Sequence, residues 1–88
     1  MKVIYTKSFK KYLSKIKDRV TRQKIKKAIL KAKKAESIDK ITNLKSLSGD
    51  KKAYRLRAGD YRIGVYIFEE GIEMVRVAHR SDIYNLFP

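Results

Sequence analysis

The stretch Ala53–Tyr84, AYRLRAGDYRIGVYIFEEGIEMVRVAHRSDIY, decides how this 88-residue chain folds. Tyr54 and Leu56 alternate with Arg55 and Arg57, and Tyr61, Ile63, Val65 and Ile67 alternate with Arg62, Gly64, Tyr66 and Phe68. A two-residue period of this kind marks strands that bury one face. Ala58-Gly59-Asp60 and Glu69-Glu70-Gly71 supply two tight turns, so three consecutive strands are expected, followed by a short helical tail at Ile83–Phe87. Placing Arg57 opposite Arg62 sets Leu56 against Ile63 and Tyr54 against Val65 on one face, and gathers Arg55, Arg57 and Arg62 on the other. A one-residue slip would mix arginines with core residues, so burial selects this register. The third strand, Ile72 to His79, is less determined. Pairing Ile67 with Met74 brings His79 beside Arg62, whereas a slip brings Arg76 there instead.

Upstream, Lys2–Tyr5 is a short apolar run that reads as a strand, and Thr6 or Ser8 can cap the helix after it. Phe9, Tyr12, Leu13 and Ile16 form one apolar stripe at helical spacing, with lysines 10, 11, 15 and 17 on the other face. Asp18 can cap a second helix whose stripe is Ile25, Ala28, Ile29 and Ala32 and which ends near Glu36. The connection Ser37–Lys52 carries Ile41, Leu44 and Leu47 as anchors and a turn signal at Ser48-Gly49-Asp50. The expected fold is a single α+β domain over residues 1–88. Its order is β-α-α-β-β-β, with a twisted, mainly antiparallel sheet packed on an N-terminal helical hairpin.

Charge is segregated along this frame. Residues 1–52 hold 18 basic and 4 acidic side chains, whereas residues 53–88 hold 5 of each, so the whole net charge of +14 lies in the first part. All lysines lie at or before Lys52, while five of the seven arginines follow it. A cationic face this dense attracts polyanions by counterion release, without reading sequence. There is no cysteine to make disulfides or zinc-thiolate sites, and one histidine with scattered acids makes no metal centre. No cofactor is expected. The N-terminus is too polar for a signal peptide and no apolar run is long enough to span a membrane, which suggests a cytoplasmic protein.

Three arginines on one sheet face repel one another, so the face is read as meeting an anion. The alternative is internal pairing with Asp60 or Glu73. Gly64, inside the same strand, is read as leaving room for another backbone or a ligand. Arg80 and Tyr84, one helical turn apart, can reach the same rim. Arginines suit a scissile phosphate and a tyrosine can stack on a splayed base, so RNA is the expected ligand.

The loop LKSLSGD (44–50), the strand pair YRLRAGDYRIGVY (54–66) and the ending RVAHRSDIY (76–84), taken in this order of elements, resemble the RelE/ParE superfamily of bacterial toxin–antitoxin toxins. The likeness covers nearly the whole chain, and GDYRI with HRSDIY at the right distance is its most specific part. It looks closer to the RelE branch, ribosome-dependent mRNA interferases that cut mRNA in the ribosomal A site by metal-free 2′-hydroxyl attack.

The resemblance implies a cognate antitoxin, ribosomal RNA and mRNA as partners, and operator DNA only through the antitoxin complex. By the same resemblance, Arg62 is a phosphate ligand, Arg80 a proton donor or transition-state stabiliser, and Tyr84 a residue that stacks on or orients the base. Arg55 and Arg57 stand where the best-known RelE toxin has lysines, and a guanidinium is a poor general base. His79 is the candidate replacement, since imidazole is the side chain whose ordinary pKa lies nearest neutrality, although a lone histidine at a strand end is commonly structural. A ParE-like gyrase inhibitor without nuclease activity, or a non-catalytic basic nucleic-acid-binding module, is the competing expectation.

Overall fold

Both helix caps form as the sequence predicts. Thr6 Oγ1 accepts from Phe9 N–H at 3.0 Å to open α1 (Lys7–Ser14), and Asp18 Oδ2 accepts from Thr21 N–H at 2.8 Å to open α2 (Arg19–Lys34). Arg22 Nη1 donates to the carbonyls of Leu13 (2.8 Å) and Ile16 (3.0 Å), tying the start of α2 to the end of α1. The computed structural model describes residues 1–47, 49 and 52–88. Of the turn signal at Ser48-Gly49-Asp50, Ser48 and Asp50 lie outside the described residues.

The strands are β1 (Lys2–Tyr5), β2 (Leu44–Ser46), β3 (Ala53–Ala58), β4 (Tyr61–Phe68) and β5 (Gly71–His79). They form one mixed sheet in the order β1-β5-β4-β3-β2, in which β1 runs parallel to β5 and the other pairs are antiparallel. The fold is thus α+β as expected, with two additions in the connection after α2. A 3₁₀ turn occupies Ile38–Lys40, and β2 adds a three-residue edge strand beside β3.

The hairpin β3–β4 takes the expected register: Arg57 faces Arg62, Leu56 faces Ile63 and Tyr54 faces Val65. Phe9, Ile25, Ala28, Ile29 and Ala32 of the helices close over Leu56, Ile63, Val65, Ile72, Met74 and Val77 of the sheet to make the main core. Neither expected register of β5 occurs. Ile67 pairs with Ile72, His79 pairs with Tyr61, and Arg76 pairs with Gly64, with a bulge at Gly64/Val65 that shifts the ladder by one residue. The bulge keeps Ile72 and Met74 on the core side before it and Val77 after it, which an unbroken ladder could not do. It also carries Arg76 to the helix side, where its guanidinium lies 3.4 Å from the centre of the Tyr12 ring.

The outer sheet face is not open over its full width. The tail α3 (Ile83–Leu86) folds back across it, and Ile83 and Phe87 bury against Ala53, with Leu47, Tyr66, Val75 and Ala78 around them. Gly64 is explained here: a Cβ at that position would stand 2.5 and 2.8 Å from the two Cδ atoms of the Phe87 ring. The space the glycine leaves is filled by the chain's own tail, and not by a ligand.

Candidate functional site

Beside the folded-back tail, the outer face holds a pocket of about 550 Å³ lined by Thr42, Asn43, Leu44, Lys45, Arg55, Arg57, Arg62 and Tyr84. Strand pairing builds it. Arg57 lies directly opposite Arg62 across β3–β4, and Lys45 lies directly opposite Arg55 across β2–β3. Side chains at paired positions project from the same face, so four cations converge on one concavity. None of Arg55, Arg57 or Arg62 is ion-paired to a carboxylate among the described residues, so internal neutralisation by Asp60 or Glu73 does not occur.

Arg62 shows what this costs electrostatically. Its pKa is lowered, first by partial burial and then by the charges of Arg57, Arg80 and Arg55. Its Nη1 donates to the carbonyls of Gly59 (2.8 Å) and Tyr61 (2.9 Å), which tether the guanidinium to the β3–β4 turn and leave its remaining N–H groups for a ligand. A site that holds cations together and fixed is preorganised for an anion, because the reorganisation is complete before the ligand arrives.

Tyr84 roofs the pocket. Its ring is largely exposed, and the Arg55 guanidinium lies 4.3 Å from the ring centroid. A hydrogen bond from Arg55 and the Arg55 charge lower the phenol pKa, with smaller contributions from Lys45 and Arg62. An exposed aromatic ring beside a cluster of guanidinium groups is an arrangement that suits base stacking next to a bound anion.

The sequence-predicted residues divide between two places. Arg55, Arg57, Arg62 and Tyr84 come together in the pocket, and Arg80, just past the end of β5, lies near enough to disfavour the charge on Arg62 without lining the pocket. His79 does not join them. Paired with Tyr61, it makes an edge-on ring contact at 5.5 Å on the core side of the sheet. The Ser81 N–H donates to its Nδ1 at 3.2 Å and the Ser81 hydroxyl sits 2.9 Å away, so the imidazole is committed to the turn after β5. Of the two alternatives for β5, neither His79 nor Arg76 stands opposite Arg62: the bulge puts Ala78 there.

Sequence reasoning missed Thr42, Asn43 and Lys45, because a strand as short as β2 reads as connection. The available signal was LKS, a short run whose Leu44 packs on the core while Lys45 turns outward. Among the described residues no group of histidine, cysteine or acidic side chains is placed to hold a metal ion, and no helix is long and apolar enough to cross a membrane. A larger cleft of about 750 Å³ lies between α1 and α2, with Phe9, Ile25 and Ile29 among its lining residues. Its lining is mainly hydrocarbon and lysine, and of its two arginines Arg22 is held by the carbonyls of Leu13 and Ile16, so the smaller pocket, where Arg55, Arg57 and Arg62 converge, is the candidate site.

A family model for the ParE toxin of the type II toxin–antitoxin system parDE matches residues 3–84. The chain is 35% identical to Toxin RelE3 of Methanocaldococcus jannaschii over an alignment of 89 positions that covers the whole of both chains. Among solved structures it is similar to the RelB–RelE antitoxin–toxin complex from Methanococcus jannaschii, with 32% identity, TM-score 0.76 and coverage of 97% of this chain and 99% of that one. The archaeal RelE–RelB complex from Pyrococcus horikoshii shares the fold at 18% identity and TM-score 0.69, over 90% of this chain and 93% of that one. With the family matched along nearly its whole length, the chain belongs to the RelE/ParE superfamily of toxins of type II toxin–antitoxin systems.

Proposed function

We propose that this toxin is a ribosome-dependent endoribonuclease that cleaves mRNA by attack of the RNA's own 2′-hydroxyl on the adjacent phosphate. The carrying observation is the convergence of Arg55, Arg57, Arg62 and Tyr84 on one pocket with no carboxylate partner for the three arginines among the described residues. In this reading Arg57 and Arg62 grip the scissile phosphate, and Arg80 stabilises the charge that builds as the 5′-oxygen leaves. Tyr84, pinned by Arg55, stacks on the base beside the cut. The 2′-oxygen–phosphorus bond forms as the phosphorus–5′-oxygen bond breaks. One proton leaves the hydroxyl and one reaches the departing oxygen, so the net reaction needs no added water in this step. With His79 turned to the other face, positioning and charge stabilisation carry the reaction.

Lysine-rich α1 and α2 give the protein its broad affinity for ribosomal RNA. A cognate antitoxin is the second partner, by analogy with the RelB–RelE complexes among its structural relatives. A toeprint assay on translating ribosomes tests the reading: cleavage is expected with the natural protein and lost with Arg62→Gln at unchanged melting temperature. Cleavage that survives Arg62→Gln sinks the assigned site. The match to a ParE family model favours one second reading, inhibition of DNA gyrase, which predicts gyrase-dependent DNA breaks and intact mRNA.

A further inference from the structure

The pocket carries one polar group that phosphate binding does not use. Lys45, Arg55, Arg57 and Arg62 are donors, and a phosphate only accepts. Asn43, at the foot of β2, is different. Its backbone carbonyl accepts from Arg57 N–H at 2.9 Å and its Nδ2 donates to Arg57 O at 2.7 Å, so it clamps the arginine's backbone from both sides. Only the amide nitrogen can face a carbonyl, so this bond fixes the orientation of the amide and leaves Oδ1 as the free end. Asn43 Oδ1 is enclosed and has no hydrogen-bond partner. A clamp that served the fold alone would have no need for an unpaired buried acceptor beside a cluster of donors.

We propose that Asn43 Oδ1 is the acceptor for a ribose 2′-hydroxyl of the RNA strand whose phosphate the arginines hold. The inference rests on the RNA reading above and adds the residue that recognises the sugar. On a gripped strand the 2′-hydroxyl is the donor nearest the phosphate, one ribose away, and Asn43 is bonded directly to the backbone of a phosphate-gripping arginine. Access follows from the same charges. Lys45 and Arg57 line the pocket with Asn43 and are exposed, with no carboxylate partner among the described residues, so both can turn towards a bound phosphate, and the proposal includes that this movement opens the enclosed Oδ1. An amide oxygen is too weak a base to keep the proton, so Asn43 orients the hydroxyl towards phosphorus and the proton leaves to solvent. DNA lacks this group, so Asn43 distinguishes the two nucleic acids at the sugar.

The test is a binding comparison, without ribosomes, between a short single-stranded RNA and the same sequence carrying 2′-fluoro sugars, which keep the RNA-like pucker but donate no hydrogen. The natural protein is expected to bind the hydroxyl form about 3- to 10-fold tighter, the span of one neutral hydrogen bond. Asn43→Ala is expected to bring the ratio to one. Asn43→Asp, which loses the donor to Arg57 but keeps an acceptor, is expected to hold the ratio while weakening both ligands. A ratio near one in the natural protein, a ratio unchanged in Asn43→Ala, or a ratio lost in Asn43→Asp would each overturn the proposal. If the ratio behaves as expected while ribosome-bound mRNA stays intact, the sugar contact stands and the nuclease reading falls.

Discussion

Gly64→Ala tests the packing that gives the site its shape. Phe87 is 4% exposed, seated on Gly64 and edge-on to Tyr66 at a centroid distance of 5.2 Å. A methyl group at residue 64 occupies the ring's place. Re-exposing a phenylalanine costs roughly 1.5–3 kcal/mol, and an aromatic pair adds about 0.5–1.5. The tail can retreat rather than fully detach, so a net loss of roughly 2–3 kcal/mol is expected. At about 4–8 °C per kcal/mol for a domain of this size, the melting temperature falls by about 10–20 °C. The decisive measurement is a double-mutant cycle by denaturant unfolding. Phe87→Ala alone should cost a similar amount, and Gly64→Ala added to Phe87→Ala should cost nothing further, because the methyl then enters vacated space. Additive losses would refute the reasoning, as would a Gly64→Ala protein as stable as the parent.

Arg57→Gln should have opposite effects on fold and function. Removing a like charge facing Arg62 leaves stability unchanged or raises it by about 0.2–1 kcal/mol, while RNA binding weakens and its salt slope drops by about one phosphate contact, both readable by titration across ionic strength. Thr6→Ala removes the cap on Phe9 N–H and a 3.2 Å bond to Val75 O, and should cost about 1–2 kcal/mol in urea unfolding. Tyr84 should ionise below the usual tyrosine range in an ultraviolet absorbance titration, and Arg55→Met should return it there. Because the folded-state pKa is the lower one, the stabilisation is full above the unfolded tyrosine pKa and is lost as pH falls through the folded value. Arg55→Met should therefore destabilise more at alkaline pH than at neutrality.

The sequence readings that held share a cause. Strict alternation over Tyr54–Arg57 and Tyr61–Phe68 leaves one register that buries the aliphatic set, so the arginine face emerges from counting. The caps at Thr6 and Asp18 come from local hydrogen bonding. The features that escaped depend on departures from regularity. In β5 the core residues go Ile72, Met74, then Val77, a change of parity that signals a bulge, and an unbroken strand therefore puts His79 on the wrong side. The role of Gly64 depends on Ile83 and Phe87, whose four-residue spacing marks a tail with an apolar side, although that spacing does not say which surface the tail covers. Asn43 and Lys45 belong to a strand of three residues and its flank, too short for periodicity to show.

β1 lies at the sheet's edge, and its neighbour in the ladder is β5, so Lys2–Tyr5 must wait for Gly71–Met74 before it has anything to pair with. Such long sequence separation slows assembly, since the loop between must close before the contact rewards it. The rim of the pocket depends on residue 84, which comes later still. During synthesis, therefore, the arginines of β3 and β4 emerge without their aromatic roof. The cationic face therefore stays open until Tyr84 has emerged and the tail has folded back over the sheet.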